Sequence, residues 1–387
     1  TSQGEGHRDA VVFRGVRSTA DFFQDGNRDD VQYYRSLYNV EQVEILRGPN
    51  ALLFGRGGTG GIINRVSKKA TLGETFGSVD FGLDSFGAND IAVDYNTGTS
   101  GDSAVRIMLH SDSLENHRDH YDGTRLGFNP TIKIKMNEST TLDLSYEYAD
   151  HERYIDRGIP TENGEPVERF EKITFGGDDN LTTLKANILR ATLSKVFSDT
   201  RKGNLSIVSS DFEKMYKNYY ASGYTAGATV VTMDGYLDPT ERENTIISGN
   251  IVNEVGNHTL LVGVELIDTT NENFRYNTFW STTSDDNEVF NITRPMDFSV
   301  NSAGVATSND YTADLKSKTK SDIDVTSFFI QDQIDVSDKL KLMIGGRHDS
   351  FDITVTDVKA GSAAARKDTK FSPRAGVIFK PQDNISW

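Results

Sequence analysis

From about residue 75 onward, apolar and polar residues alternate one by one over many short stretches of the chain. In one stretch Leu142, Leu144 and Tyr146 alternate with polar residues, and in another Val264 and Leu266 flank a glutamate. Successive side chains of a strand point to opposite faces, so a period of two predicts antiparallel strands with one apolar and one polar face. The same pattern occupies residues 132–136, 340–344 and 375–379. In this way about twelve strands are predicted, and residues 385–387 open another.

The connections between these strands alternate between short turns and long links. Because paired antiparallel strands run in opposite directions, this alternation places the long links at one end of the sheet. Outer-membrane barrels have short turns at one end and long loops at the other, so the pattern favours an all-β transmembrane antiparallel β-barrel. A soluble β-sandwich or propeller has no reason to sort its loops by length. Short turns are predicted near residues 98–103, 136–140, 198–204, 254–258, 336–340 and 381–385, long links near 111–126, 150–183, 217–244, 269–323 and 352–371, and one exceptional short link at 84–89.

Residues 1–70 differ from the rest of the chain, because no hydrophobic period is sustained there. Short strands are predicted at residues 10–13 and 43–46. The spacing of Val31, Tyr34 and Tyr38 favours a short helix over residues 29–38. We therefore expect a mixed α+β domain over residues 1–70, followed by the barrel over residues 71–387.

The N-terminal domain is organised around residues 43–66. A strand there ends at Gly48-Pro49, because proline has no N–H to donate to a β-ladder. An apolar turn and a glycine run follow, and glycine permits positive φ angles and close backbone approach. The residues that define this motif are Gly48, Pro49, Gly55, Arg56, Gly57, Gly60 and Gly61.

A nucleotide-binding loop is the first alternative for this motif. From Gly55 the letters match G-x-G-x-x-G, a pattern that binds dinucleotides where it opens a helix after a strand. The following residues 62–66 are β-branched and strand-like, and no crossover helix is predicted. The motif therefore argues against nucleotide binding.

Composition excludes several function classes. The net charge of −16 gives no basic surface for nucleic acid, and the absence of cysteine excludes disulfides, thiolate metal sites and a cysteine nucleophile. No stretch approaches the roughly 20 apolar residues of a membrane-spanning helix. A barrel alternates lipid-facing and lumen-facing residues, so a polar mean hydropathy does not decide between a soluble and a membrane protein.

The ordered motifs of the N-terminal domain resemble the plug signature of TonB-dependent outer-membrane receptors, which import ferric siderophores. The resemblance covers residues 11–17, 25–35 and 38–49 and continues through residue 69. Residues 116–121 and 154–160 also resemble loops of the catecholate-siderophore branch. The resemblance implies a barrel of about 22 strands with a plugged lumen.

Under this resemblance, residues 1–70 are the C-terminal half of the plug and residues 71–387 the N-terminal half of the barrel. An export signal, a TonB-contacting segment and the first half of the plug are then expected to precede Thr1. The implied function is ferric siderophore uptake at the bacterial outer membrane, energised by the TonB–ExbB–ExbD system. The implied partners are the siderophore, this system and outer-membrane lipid, without nucleic acid. Iron is carried as substrate, and no cofactor is implied.

The resemblance also assigns roles to individual residues. In the family, arginines of the Phe-Arg-Gly and Leu-Arg-Gly-Pro motifs pair with barrel glutamates and hold the plug, which points to Arg14 and Arg47; their partners are expected beyond this chain. Ferric siderophores are typically anionic chelates that aromatic rings and arginine complement. The candidate ligand residues are Arg17, Tyr33, Tyr34, Arg35, Tyr154 and Arg157, and one of the two adjacent tyrosines is expected to pack in the plug core. Further loop aromatics, Tyr219, Tyr220, Tyr224, Phe279 and Trp280, either draw ligand inward or lie at the membrane interface.

Other functions find weaker support. The His117-x-x-His120 pair lacks a further spaced ligand, and the pairs Asp178-Asp179 and Asp285-Asp286 are expected to be solvated loop acids rather than Ca²⁺ sites. These pairs therefore predict no metal site. No G-x-S-x-G motif occurs, and no catalytic residue is predicted. The alternatives that stay open are a receptor for another nutrient, such as cobalamin or an oligosaccharide, and a soluble all-β surface-binding protein.

One residue breaks the alternating pattern. Asp332 shares a strand face with Phe328 and Ile330. A carboxylate facing lipid is costly, so we expect Asp332 to lie near an interface or at a β-bulge.

Overall fold

The computed structural model describes residues 8–13, 15–18, 21–47, 55 and 60–382. The strands of the N-terminal region are β1 (Val11–Phe13), β2 (Val16–Ser18), β3 (Phe22–Gln24), β4 (Asn27–Arg28), β5 (Val40–Arg47) and β6 (Gly61–Ser67). The following strands are β7 (Thr75–Leu83), β8 (Asn89–Ser100), β9 (Ser103–Glu115), β10 (Asp122–Asn137), β11 (Thr140–Tyr154), β12 (Thr161–Glu162), β13 (Glu165–Pro166), β14 (Leu181–Ser198), β15 (Arg201–Gly223), β16 (Val230–Val255), β17 (His258–Asn277), β18 (Glu288–Asn291), β19 (Asp314–Ser337), β20 (Leu340–Asp357) and β21 (Ser362–Phe379). A 3₁₀ turn covers Glu168–Phe170. No helix in the described part of the chain is both long and apolar enough to cross a membrane.

A single antiparallel sheet contains most of the chain. In it β7, β8, β9, β10, β11, β14, β15, β16, β17, β19, β20 and β21 follow one another in this order, and β18 pairs with β16 beside this path. Each of these twelve strands pairs with its neighbours along the chain, as successive hairpins require. The prediction of about twelve barrel strands is confirmed. Residues 385–387, predicted to open another strand, lie outside the described residues.

The two faces of this sheet differ as the alternating pattern predicts. On β19 the side chains of Phe328 and Ile330 are 58% and 51% exposed. Val325 and Ser327, which point to the other face of the same strand, are buried. Leu189 on β14 is likewise 56% exposed. Such a large apolar surface is costly in water and fits the hydrocarbon of a membrane. The opposite face, which we call the wall, carries the buried polar residues and contacts the N-terminal region.

The two long loops that the structure retains lie at the end of the sheet opposite the turns at 101–102, 138–139, 199–200, 256–257 and 338–339. The longest links, residues 155–180 and 278–313, join β11 to β14 and β17 to β19. Three predicted long loops, 111–126, 217–244 and 352–371, are wrong, because β9, β10, β15, β16, β20 and β21 extend through most of them. Residues 362–370 at the start of β21 are small or charged on both faces and are exposed, so no apolar period marks them as strand.

The N-terminal region forms a second, smaller sheet with the order β4-β3-β6-β5, in which β3 and β6 run parallel. Its glycine run permits close approach of backbone segments. A Cβ atom on Gly60 would lie 2.6 Å from the carbonyl oxygen of Phe13. Gly61 has a φ of 151°, and a Cβ atom on it would lie 2.8 Å from the carbonyl oxygen of Leu46. Gly55, with a φ of 71°, would place its Cβ 2.8 Å from the Arg347 guanidinium of the wall. These positions accept no larger side chain without displacement.

The predicted helix over residues 29–38 is wrong, and the described part of the N-terminal region contains no α-helix. The segment is extended, with Val31 and Tyr33 buried alternately against the wall. The guanidinium of Arg35 donates to the carbonyl oxygens of Asp29 at 2.9 Å, Val31 at 2.7 Å and Tyr33 at 3.3 Å. These bonds occupy acceptors that an α-helix would use.

An apolar cluster joins the N-terminal region to the wall. Val31 and Tyr33 belong there to one cluster with residues of six wall strands, and the ring centroids of Tyr33 and Phe212 lie 5.8 Å apart. The buried wall members are Ala149, Leu184, Ala186, Ile188, Val208, Phe212, Ile246, Ile267 and Val325. The N-terminal region therefore packs directly on the wall.

Asp332 lies near the short-turn end of the sheet. Its carboxylate is 2.7 Å from Nδ1 of His258, the first residue of β17 after the turn at 256–257. This position fits the expectation that Asp332 lies near an interface.

Candidate functional site

A pocket separates the N-terminal region from the wall near the long-loop end of the sheet. Its inner side consists of Tyr33 and Tyr34. Its wall side consists of Arg125, His151, Arg153, Thr182, Thr183, Leu184 and Lys214. Tyr154, the residue after Arg153, ends β11, and the long loop follows it, which places the pocket at the mouth of that loop.

Strand register brings the wall residues together. Arg125 pairs with His151, His151 with Leu184, and Leu184 with Lys214, so the four form one row across β10, β11, β14 and β15. Arg153 belongs to the next row towards the loops, where it pairs with Thr182. Three cationic side chains thus converge on two tyrosines.

The pocket is cationic and aromatic. The Arg153 guanidinium lies 4.4 Å from the ring centroid of Tyr34, and Lys214 Nζ donates to the carbonyl oxygen of Gln32 at 2.6 Å. Arg125 Nε donates to Asp112 at 2.8 Å, which neutralises one of the three cations. The cavity holds about 20 Å³, room for a single water, so a larger anion would bind across its mouth.

Of the two adjacent tyrosines, Tyr33 packs in the core and Tyr34 lies at the pocket. Tyr33 is 5% exposed, and its hydroxyl donates to Asp29 Oδ2 at 3.2 Å. Tyr34 is half-buried beneath Arg153. Tyr34 therefore keeps its candidate role, whereas Tyr33 contributes mainly by packing.

Arg35 has a structural position that differs from the predicted one. Its Nε donates to Asp29 Oδ2 at 2.8 Å, and Arg65 Nη2 donates to the same oxygen at 2.7 Å. Burial raises the pKa of Asp29, but the charges of Arg35 and Arg65 outweigh burial and hold this pKa at about 2. The guanidinium of Arg35 is fully engaged within the N-terminal region, so the prediction that it contacts ligand does not fit this geometry.

Arg157 of the loop and Tyr154 at the end of β11 have different environments in the structure. Arg157 Nη1 donates to the hydroxyls of Tyr216 at 3.0 Å and Tyr236 at 2.9 Å, and its guanidinium lies 4.8 Å from the ring centroid of Tyr220. Tyr216 pairs with Thr182, in the row of Arg153, so Arg157 lies above the pocket. Tyr154 is 3% exposed and is a packing residue in this structure.

Of the remaining predicted residues, Arg17 and Arg47 do not line the pocket. Arg17 is exposed on β2, and Arg47 is exposed at the end of β5. Residues Arg14, Gly48, Pro49, Arg56 and Gly57 lie outside the described residues. The role of Arg14 and Arg47 in holding the N-terminal region in place stays a prediction.

Two of the described polar contacts to the wall have the reverse polarity of that prediction. Asp30 accepts from Arg242 of the wall at 2.6 Å. Gln24 accepts from Arg190 of the wall at 2.6 Å. The arginines of these contacts belong to the wall.

Tyr219, near the end of β15, forms an aromatic core at the long-loop end with Trp280 of the loop after β17 and Phe290 of β18. The ring centroids of Tyr219 and Trp280 lie 5.4 Å apart, and those of Trp280 and Phe290 lie 4.9 Å apart. Trp280 is 1% exposed. The two roles considered for Tyr219 and Trp280, ligand capture and the membrane interface, are both replaced by loop packing.

Salt bridges tie the link at 116–121 to the long loops 155–180 and 278–313. Arg118 Nε donates to Asp156 at 2.6 Å, and Arg294 Nη2 donates to Asp119 at 2.8 Å. In the ranges that the structure describes, no group of three or more His, Asp or Glu side chains is placed to hold a metal ion. The loop cluster is therefore held by ion pairs and aromatic packing.

The wall cations Arg125, Arg153 and Lys214 were missed from the sequence. Each is a polar residue at an alternating position, like many others in the sheet. The sequence does show that Arg153 and His151, two residues apart on one strand, point to the same face of the sheet. Only cross-strand register shows that the three converge.

Two family models match the chain. One, described as "TonB dependent receptor-like, beta-barrel", matches residues 127–387, well over half of the chain. The chain belongs to the TonB-dependent receptors. A second, "TonB-dependent Receptor Plug Domain", matches residues 1–62. Members of this receptor family are outer-membrane β-barrel proteins and are not enzymes, so the alternative of a soluble all-β protein is wrong.

Several relatives of this TonB-dependent receptor are named as siderophore or metal-pseudopaline receptors. The probable TonB-dependent siderophore receptor PiuA of Acinetobacter baumannii is 25% identical, over 99% of this chain and 55% of its own length. The metal-pseudopaline receptor CntO of Pseudomonas aeruginosa is 25% identical, over 89% of this chain and 49% of its own. The chain spans about half the length of the curated relatives it matches.

Solved structures share the fold of this TonB-dependent receptor. The ferric-catecholate import receptor Fiu from E. coli K12 superposes with a TM-score of 0.83 and 18% identity, covering 98% of this chain and 64% of its own. The siderophore receptor PiuA from Acinetobacter baumannii gives 0.82 and 20%, covering 99% and 58%. At these identities the likeness establishes the fold alone.

Proposed function

We propose that this receptor takes up ferric siderophores across the bacterial outer membrane, energised by the TonB–ExbB–ExbD system. The observation that carries the proposal is the pocket in which Arg153 and Lys214 face Tyr34 at the long-loop end. A ferric siderophore with catecholate arms is an anion with aromatic faces, which guanidinium and tyrosine groups complement. Iron enters as substrate within the chelate, and no resident cofactor is proposed.

The names of the relatives support this substrate class. PiuA is named a siderophore receptor, and Fiu is named a ferric-catecholate import receptor. We assign the plug to residues 1–70 and the barrel to residues 71–387, since β6 ends at Ser67 and β7 begins at Thr75. Arg14 and Arg47 are proposed to hold the plug, and Arg17, Tyr34 and Arg157 to line the ligand path.

A second candidate substrate is a chelate of another metal, because CntO is named a metal-pseudopaline receptor. The cationic pocket would accept either anion. Comparing iron(III) chelates with zinc(II) and nickel(II) chelates would separate the two.

The test is growth of a receptor-dependent strain under iron limitation with catecholate, hydroxamate and carboxylate iron(III) chelates, combined with direct binding of radio-iron chelates to cells. We expect Arg153→Ala to weaken binding of the imported chelate about tenfold or more, the loss of a charge-assisted contact. Arg366→Ala is the matched control, since Arg366 is an exposed arginine on β21. If no metal chelate binds, or if both variants bind like the native receptor, the proposal is wrong.

A further inference from the structure

The seam between the plug and strands β14–β16 is tight near the pocket and open towards the short turns. Beside Leu184 and beside Ile188, its cavities measure about 20 Å³ each, room for one water apiece. Towards the short turns, a cavity of about 380 Å³ lies between Asp25, Gly26 and Lys69 of the plug and the same strands, and a second cavity of about 330 Å³ is lined by residues of the large sheet alone. Both are lined by Ser194, Asn204 and Asn250, so they adjoin. Volumes of this size hold small-molecule ligands in other proteins.

The wall side chains change character at the same level. In the tight part, Ile188, Val208 and Ile246 pack on Val31 of the plug. In the open part the paired rows are hydroxyl and amide side chains: Thr192, Ser206 and Ser248, then Ser194, Asn204 and Asn250. Such side chains can exchange hydrogen bonds with a polar solute without binding it as tightly as a charge would.

Two wall arginines bracket the apolar part. Arg242 pairs in register with Phe212 at its upper edge, and Arg190 pairs with Val208 at its lower edge. Phe212 and Val208 are four residues apart on β15, so the two rows lie about 13 Å apart along the strands. A solute that passes this apolar part of the seam therefore meets a guanidinium before it and another after it.

In the resting structure the plug occupies both arginines. Arg242 Nη2 donates to Asp30 at 2.6 Å. Arg190 Nη2 donates to Gln24 at 2.6 Å, while its Nη1 stays with Glu147 of the wall at 3.1 Å. If the plug segment left this seam, Arg242 would lose an anion and Arg190 an acceptor. A half-buried cation without its anion is costly, so a replacement anion would be favoured there.

Elsewhere the plug is seated more closely. A Cβ atom on Gly127 of β10 would lie 2.5 Å from the Tyr38 ring, and Asn39 Nδ2 donates to Asn129 at 3.1 Å. This contact leaves no space between the plug and β10 at that level. Gly127 pairs with Ala149 and Ala149 with Ala186, so this contact lies at the level of the tight part of the β14–β16 seam.

We propose that the chelate crosses the plug along the inner face of β14–β16, and that Arg242 and Arg190 exchange their plug partners for the passing anion. The proposal rests on the proposed function for the anionic nature of the substrate. In this scheme Arg242 and Arg190 form a transient anion site that exists only while plug residues 24–33 are displaced from the wall.

Two cysteine tethers test the route. The chain has no cysteine of its own. One tether is Asn27→Cys with Ser248→Cys, whose native side chains are 3.0 Å apart on the proposed route, and the control is Asn39→Cys with Asn129→Cys, 3.1 Å apart at β10. Each pair is cross-linked in the whole receptor with a short bis-maleimide that contains a reducible disulfide, and the cross-linked fraction is measured on a gel. The probe is a radio-iron(III) tris-catecholate complex, followed by binding in de-energised cells and by uptake in energised cells.

We expect the 27–248 tether to keep binding, abolish uptake and regain uptake on reduction, while the 39–129 tether leaves uptake unchanged. Uptake through the closed 27–248 tether, or an equal block by both tethers, would overturn the route. If the native receptor neither binds nor imports the complex, the proposed catecholate substrate fails instead of the route.

A second variant tests the exchange of partners. Arg242→Gln is expected to lower the uptake rate about tenfold with unchanged surface binding, because the anion loses a charge-assisted donor during passage. Arg242→Lys should recover part of that rate. Arg201→Gln, an exposed arginine of β15 next to a short turn, is the control. Native uptake by Arg242→Gln, or binding that falls in proportion to uptake, would contradict the transient site.

Discussion

Replacing Asp29 by asparagine removes one negative charge from the centre of the plug and keeps the size of the side chain. In the native plug, Arg35 and Arg65 both donate to Asp29 Oδ2, at 2.8 and 2.7 Å. Their side chains are 2% and 3% exposed. Asp29→Asn therefore leaves two buried guanidinium groups without the carboxylate that they share.

The magnitude follows from the pKa and from the burial of these charges. Burial acts against ionisation of Asp29, yet its arginine partners lower the pKa from the ordinary value of 3.8 to about 2. A lowering of nearly two units corresponds to about 2 kcal/mol of stabilisation. Breaking a buried ion pair from one side costs about 3–5 kcal/mol. We therefore expect Asp29→Asn to lower the free energy of unfolding of the plug by about 2–5 kcal/mol.

Amide hydrogen exchange of the detergent-solubilised receptor in a urea series measures this change, read from peptides within residues 21–47. Asp199→Asn, in the short turn after β14, is the matched control and should leave exchange unchanged. Because folding lowers the pKa of Asp29, its contribution is present above pH 3.8 and is lost as the pH falls towards 2. The native plug should therefore lose more stability over this range than the asparagine variant. Equal urea midpoints for the native receptor and Asp29→Asn would refute the reasoning.

Three further predictions concern the seat of the plug, the loop core and the outer face. Gly127→Ala should loosen the plug by about 1–3 kcal/mol, seen as earlier proteolysis in urea, because its Cβ would meet the Tyr38 ring. Trp280→Ala should destabilise the loop core by about 3–5 kcal/mol, seen as faster exchange in residues 278–313, whereas unchanged exchange would contradict a packed cluster. Phe328→Arg should cost about 2–4 kcal/mol in refolding into lipid bilayers if this face meets the membrane midplane, and Phe328→Leu is its control.

Strands with an apolar face could be predicted from the sequence because a period of two is visible without knowledge of the partner strand. The loop-side extensions could not, since residues 362–370 pair regularly but carry no apolar stripe. The helix predicted over residues 29–38 failed for a different reason. The apolar residues of this segment have helical spacing, but the Arg35 side chain binds the backbone carbonyl oxygens that a helix would use. The spacing of apolar residues gives no sign of this interaction.

The candidate site was predictable only on the plug side. Tyr34 was found because it belongs to a recognisable motif. Arg125 and Lys214 lie on different hairpins, and their approach depends on the register of three successive strand pairs. Register is decided by the whole sheet, so the convergence of these charges appears only in the folded chain.

The pairing of each barrel strand with its neighbours in sequence has a consequence for assembly. Hairpins close short loops of chain and form early, so the barrel can grow one hairpin at a time. The contacts Arg242–Asp30 and Ser248–Asn27 instead join residues 212 and 221 positions apart. We therefore expect the plug to dock after the hairpins have formed, and the Asp29 network, whose partners lie 6 and 36 residues away, to form before docking.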